Sequence, residues 1–221
     1  MFKKLFSINN IVLYILMFMI SKTGFVAGVT PFAIAITAAA CSNEIPLAPI
    51  LIFAGLGSFL GFGQVGLITY FLGTLILILF AVLIKPRRNE NETLKLGSRL
   101  FVTVILLQVL GLVFKNIIVY DLLTSCIFVI STLIFYKIFV NSILVIKEYT
   151  IKDIFTSEEI VGATLMVAIA LSAVPEILVL GVSIKIIAAI LFVIFIGIQN
   201  GILIGATSGI TVGIILRNIR Q

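Results

Sequence analysis

The chain reads as a succession of apolar runs separated by short polar breaks. A helix that crosses the roughly 30 Å hydrocarbon layer needs about 20 apolar residues at 1.5 Å each. On that ruler apolar segments fall at 9–27, 31–41, 46–62, 64–84, 99–114, 117–140, 158–174, 177–198 and 201–216. The pattern predicts an all-α fold: a polytopic transmembrane helix bundle of about seven to nine spans, forming one domain over residues 1–221. The second segment is too short to span alone; it tilts, stops partway or joins its neighbour. Pro31, Pro46 and Pro175 fall near predicted helix starts, where a missing N–H costs no helical bond. Thr30 and Ser42 stand in cap positions before two of those starts.

Two stretches are polar. Residues 85–99 hold five basic side chains, Lys85, Arg87, Arg88, Lys95 and Arg99, against Glu90 and Glu92. Basic loops stay on the cytoplasmic side, so this loop is placed inside. Residues 141–157 interleave Ile143, Val145, Ile146, Ile151, Ile154 and Phe155 with Lys147, Glu148, Lys152 and Asp153. They form either an amphipathic helix on the membrane surface or the end of one span and the start of the next. With the N-terminus and both loops inside, nine crossings leave Arg217 and Arg220 outside, against the usual charge bias. Lys3-Lys4 and Ile11 to Ile20 resemble the start of a secretory signal. Ala-x-Ala-like steps come only near Ala38 to Ala40, and the apolar run continues past them, so a retained first helix is expected.

Composition supports a lipid environment. The chain is 62% apolar and 11% charged, whereas soluble domains run at about 45–50% and 25%. The net charge of +6 is gathered at the ends of apolar runs, not on a basic face with interleaved aromatics, so nucleic acid is not an expected partner. The two cysteines, Cys41 and Cys126, read as free buried thiols without a CxxC partner. Histidine is absent, which removes HExxH zinc sites, Ser-His hydrolases and His-based proton relays. Tryptophan is absent too, which leaves Tyr, Phe, Lys and Arg as interface anchors.

The most regular feature is a glycine repeat, Gly201, Gly205, Gly209 and Gly213. Four-residue spacing keeps these positions near one helix face, where they let two backbones approach closely in lipid. The face packs inside one bundle or joins two copies of the chain, with Thr207, Ser208 and Thr211 as candidate interhelical hydrogen bonders. A second cluster, Gly55, Gly57, Gly61, Gly63 and Gly66, surrounds a Gly61-Phe62-Gly63 step that looks like a helical-hairpin turn. It is no phosphate loop, because Gln64 and Val65 follow in place of Lys and Ser or Thr. Glu158-Glu159 superficially matches the acidic pair of membrane prenyl proteases. No Arg follows it, so the pair reads as helix-start carboxylates favoured by the dipole. Lys22, Asp121, Lys137 and Lys185 are charges near or within spans, each within snorkelling reach of a boundary. No catalytic residue, metal ligand or cofactor site is expected.

Several of these motifs occur in one order. Lys22 breaks an early helix and Pro31-Phe32-Ala33 starts the next. A basic connector from Lys147 leads to Glu158-Glu159-Ile160. The glycine helix follows from Gly201 to Gly213. In this order the chain resembles the N-terminal polytopic membrane region of stage II sporulation protein E, over nearly its whole length. The resemblance implies a larger architecture: about ten spans, a central cytoplasmic region, and a C-terminal metal-dependent serine/threonine phosphatase that activates the forespore sigma factor. It also implies a place at the asymmetric division septum, beside cell-division proteins.

The sequence departs from that architecture by ending at Gln221, before the last spans, central region and phosphatase. The expectation is a fragment, a truncated product or a stand-alone relative: a membrane-anchoring, septum-localising module, not an enzyme by itself. Its expected partners are the lipid bilayer, cell-division proteins and a second copy of itself. A different reading, the small substrate-binding membrane subunit of a modular vitamin uptake transporter, fits the length, basic loops and glycine-rich helices. Few polar or aromatic groups are available to line its pocket.

Overall fold

A computed structural model describes residues 8–24, 30–83, 92–113, 118–148, 155–179 and 181–218. Within them the chain is all-α apart from one small hairpin. The helices are α1 (Ile8–Lys22), α2 (Phe32–Ser42), α3 (Leu47–Leu83), α4 (Glu92–Val113), α5 (Val119–Glu148), α6 (Ser157–Ser172), α7 (Ile184–Asn200) and α8 (Ile202–Asn218). Strands β1 (Leu178–Val179) and β2 (Val182–Ser183) pair antiparallel before α7. They turn at Gly181, whose φ of 81° suits glycine. The sequence pattern predicts helix from 177, so these strands are a difference from expectation.

Helix α3 is not one rod. Gly63 has φ 63° and ψ −148°, outside the helical region. The Tyr70 ring lies 3.4 Å from where a Cβ on Gly55 would sit. On a straight helix those two positions would be about 22 Å apart. The chain therefore folds back at Gly63, and α3 is a hairpin of two arms, 47–62 and 64–83. The turn sits in the Gly61-Phe62-Gly63 step, at the one glycine there with positive φ.

Successive arms run in opposite directions. Helix α1 lies parallel to the first arm of α3, in a register that repeats every four residues: Tyr14 stacks on Phe53 at 5.6 Å, Phe18 meets Gly57, and Lys22 meets Gly61. Helices α4 and α5 are antiparallel, with Gln108 accepting from Ser125 at 3.0 Å and Gly97 against Tyr136. Helices α7 and α8 are antiparallel through Gly197 and Gly205, then Val193 and Gly209. One end of the bundle carries residues 43–46, the starts of α4 and α6, and the end of α5. The other carries Lys22, Gly63, the β-hairpin and the end of α8.

The expected seven to nine spans are not what helix length supports. Among the described residues three helices meet the length and apolarity of a membrane span: Leu47–Val82, Lys95–Val113 and Val119–Glu148, and the first of them is the hairpin, its length divided between two arms at Gly63. Helices α1, α2, α6, α7 and α8 have 15, 11, 16, 17 and 17 residues. At 1.5 Å per residue they reach about 16–26 Å, short of a 30 Å core. An apolar segment and a spanning helix are different quantities, and the sequence pattern counted the former.

Helix α2 is the centre of the core. All residues from Phe32 to Ala40 are buried, as expected of a helix that is apolar on every side. Its alanines let α1, α3 and α5 approach closely, while Phe32 meets Phe135 edge-on at 4.7 Å. The helix is enclosed by its neighbours and runs out at the bundle end that carries residues 43–46. Thr37 Oγ1 bonds the Ala33 carbonyl at 2.8 Å and the Tyr70 hydroxyl at 3.1 Å.

Other local expectations change. Pro31 directly precedes α2, and its N-terminus has no side-chain cap, so Thr30 does not cap it. Ser42 is the last residue of α2, where its hydroxyl meets Ala38 and Tyr136; it caps no following helix. Pro175 follows the end of α6 rather than starting a helix. Residues 92–99 and 141–148 are helical, so both polar stretches are shorter as loops than 85–99 and 141–157. The latter stretch is the end of α5 and the start of α6; residues 149–154, where a surface helix was the alternative, lie outside the described residues, as do 84–91.

Candidate functional site

The glycine repeat on α8 is three different environments. Gly205 is in backbone contact with α7: a Cβ there would stand 2.7 Å from the Gly197 Cα. Gly209 is beside Val193, 3.3 Å from such a Cβ. Gly201 is the link between α7 and α8, with φ 90°. Gly213 would meet nothing within 4 Å. The hydroxyls expected to bond across helices turn back instead. Thr207 and Ser208 donate to the Ile204 carbonyl, and Thr211 to that of Ser208.

Gly209 and Gly213 leave room for a cavity of about 460 Å³ between α7 and α8, at the end that holds the β-hairpin. Ile186, Ile190 and Leu216 form apolar wall. Its polar lining is Glu176, Ser183, Lys185 and Arg217. Lys185 is only 7% exposed. The Ser183 hydroxyl is buried without a hydrogen-bond partner.

Lysines hold two helix ends. Lys185 Nζ donates to the Ser172 carbonyl at 3.3 Å, and Lys22 Nζ to the adjacent Ala173 carbonyl at 3.4 Å. Those oxygens end α6, where the helix leaves carbonyls without internal partners and a partial negative charge. Lys147 Nζ does the same beyond α2, reaching the Asn43 carbonyl at 2.8 Å. Asn43 Nδ2 in turn donates to Ala39 and Val140 carbonyls at 2.9 and 3.3 Å. A helix that ends inside a membrane bundle must satisfy its carbonyls from neighbouring segments, and this network does so.

Glu159 and Thr156 form a capping box at the start of α6. The Thr156 N–H donates to Glu159 Oε2 at 2.8 Å, and the Glu159 N–H to Thr156 Oγ1 at 3.3 Å. The Glu158-Glu159 pair is thus a helix start, with Glu159 bonded to backbone. Its signal, Thr-x-x-Glu, was present in the sequence. Asn43, Tyr70, Tyr136 and Lys147 were missed, because nothing local marks a polar residue whose partner is on another helix.

Among the described residues no group of three His, Cys, Asp or Glu could hold a metal ion. Cys41 is half-buried and Cys126 is exposed; neither is paired. Lys137 is exposed on α5, beside one groove toward α4 and another toward α6. The arrangement can pack helices, hold helix ends and present cations at a bundle end. Compared with known proteins, residues 1–218 match the family described as SpoIIE, N-terminal domain. No curated protein and no solved structure matches.

Proposed function

We propose that this chain, which belongs to the SpoIIE N-terminal domain family, anchors in the cell membrane and localises to the division septum during sporulation. The match over residues 1–218 carries the reading, since it takes in every described helix. The apolar composition and the lipid-facing side chains of α3, α4 and α5 support the membrane part. Ile68, Val109 and Ile130, for example, are 55%, 49% and 58% exposed among many other large apolar side chains, a surface that a bundle in lipid accommodates. Septal placement is our reading, supported by the resemblance of its motifs to stage II sporulation protein E. In this reading the chain works by holding position and by contact with cell-division proteins, and any phosphatase chemistry belongs to other sequence.

The test is a fluorescent fusion of residues 1–221 in sporulating cells that lack their own copy of the protein. Enrichment at the asymmetric septum supports the proposal. Uniform membrane fluorescence throughout sporulation refutes septal localisation. A vitamin that copurifies at one per chain would favour the uptake-subunit alternative instead.

A further inference from the structure

We infer that the cavity between α7 and α8 is a binding site for the phosphate group of an anionic membrane lipid. The inference rests on the membrane reading above and adds a ligand to it. Lys185 is buried, and its ammonium meets one backbone carbonyl, that of Ser172 at 3.3 Å. Among the described residues it has no carboxylate partner. A buried charge is costly unless an opposite charge and hydrogen bonds offset its lost hydration. Arg217 lines the same cavity and, among the described residues, makes neither hydrogen bond nor ion pair. Glu176 is the one carboxylate on the lining; it is exposed and pairs with neither cation. Two cations against one anion leave the lining positive.

The rest of the cavity favours a lipid over a free ion. Lys and Arg both bind phosphate, Arg through a planar fork and Lys as a point charge. Below them the wall is apolar, and Ile186 and Ile190 are 49% and 54% exposed. An acyl chain covers such a wall; inorganic phosphate does not. Gly209 and Gly213 supply the width, and open space lies where a Gly213 side chain would be. The site lies at a bundle end, the level at which head groups meet a membrane protein.

The experiment is native mass spectrometry of the full chain in detergent. Phosphatidylglycerol, phosphatidylcholine of the same acyl chains, or inorganic phosphate is added in parallel. Phosphatidylglycerol is expected to bind about tenfold more tightly than phosphatidylcholine, as a charge-assisted contact requires. The Lys185→Gln/Arg217→Gln double variant should lose that preference. Gly213→Leu, which fills the cavity and keeps both charges, should lose it too, while Lys137→Gln keeps it. Circular dichroism checks that each variant folds. Equal retention of the two lipids, no retained lipid at all, or a preference that survives in both the double variant and Gly213→Leu overturns the site. Inorganic phosphate binding as tightly as the lipid shows a free-anion site and overturns the lipid assignment. Alkaline carbonate washing separates the two failures: a chain released from membranes by carbonate sinks the membrane reading itself.

Discussion

Lys22 and Lys185 donate to adjacent carbonyls, those of Ala173 and Ser172, at the same end of α6. One lysine ends α1 and the other begins α7, so a single helix terminus joins three helices. Each contact places a cation at the negative end of a helix.

Lys22→Met should therefore lower stability by about 1 kcal/mol, read as a lower unfolding temperature in detergent. Lys22→Met and Lys185→Met combined should differ from the sum of the single effects, because both act on one helix end. Strict additivity in a double-mutant cycle would show that the two lysines act independently.

The glycines differ in what they can tolerate. A Cβ on Gly205 would run into the α7 backbone at Gly197, whereas one on Gly213 meets open space. Gly205→Ala should cost about 1–3 kcal/mol, the usual penalty of overpacking. Gly213→Ala should be neutral. Equal effects of the two substitutions on thermal stability would show that the repeat packs uniformly.

Gly57 and Gly61 form the second close contact. A Cβ at either would collide with α1 backbone, at the carbonyls of Phe18 and Lys22 respectively. Gly57→Ala should destabilise α1 against α3, at a similar cost of about 1–3 kcal/mol. Gly111, with nothing within 4 Å of its Cβ position, is the control and should accept Ala without loss. Limited proteolysis near the N-terminus, faster in Gly57→Ala than in Gly111→Ala, is the readout.

The alternating arms put the start of α4 and the β-hairpin at opposite ends of the bundle, and the basic residues before α4 in the sequence predict which end faces the cytoplasm. In a chain with Cys41 and Cys126 replaced by Ala, Asn91→Cys should resist an impermeant thiol reagent in intact cells. Leu178→Cys, in the β-hairpin at the opposite end, should be labelled. Labelling of Asn91→Cys but not Leu178→Cys would invert the topology.

The Thr156 cap predicts a local effect. Thr156→Ala should cost about 1 kcal/mol and Thr156→Ser much less, because Ser keeps the accepting hydroxyl. Hydrogen exchange in the first turn of α6 should rise in the Ala variant alone.

The sequence by itself determined the lipid setting, the all-α class, the position of nearly every helix and the hairpin turn near Gly63. Each of these follows from local chemistry: the length of an apolar run, a proline before a helix, a glycine that accepts positive φ. The capping box at Thr156 is just as local, both partners lying within one turn, but the sequence reading goes no further than Glu158-Glu159 as helix-start carboxylates. The tertiary structure decided the rest. Helix length within an apolar run depends on where neighbours hold its ends, so three helices, one of them folded back at Gly63, meet the length of a span, not seven to nine. The burial of α2 depends on the four helices around it, α1, α3, α4 and α5. The repeat at Gly201, Gly205, Gly209 and Gly213 looks uniform along the chain, yet its members become a turn, two contacts and a cavity wall. What distinguishes them is the atom opposite each one, and that atom is on another helix. The same is true of Lys22, Lys147 and Lys185, whose carbonyl partners are brought within reach only by the fold.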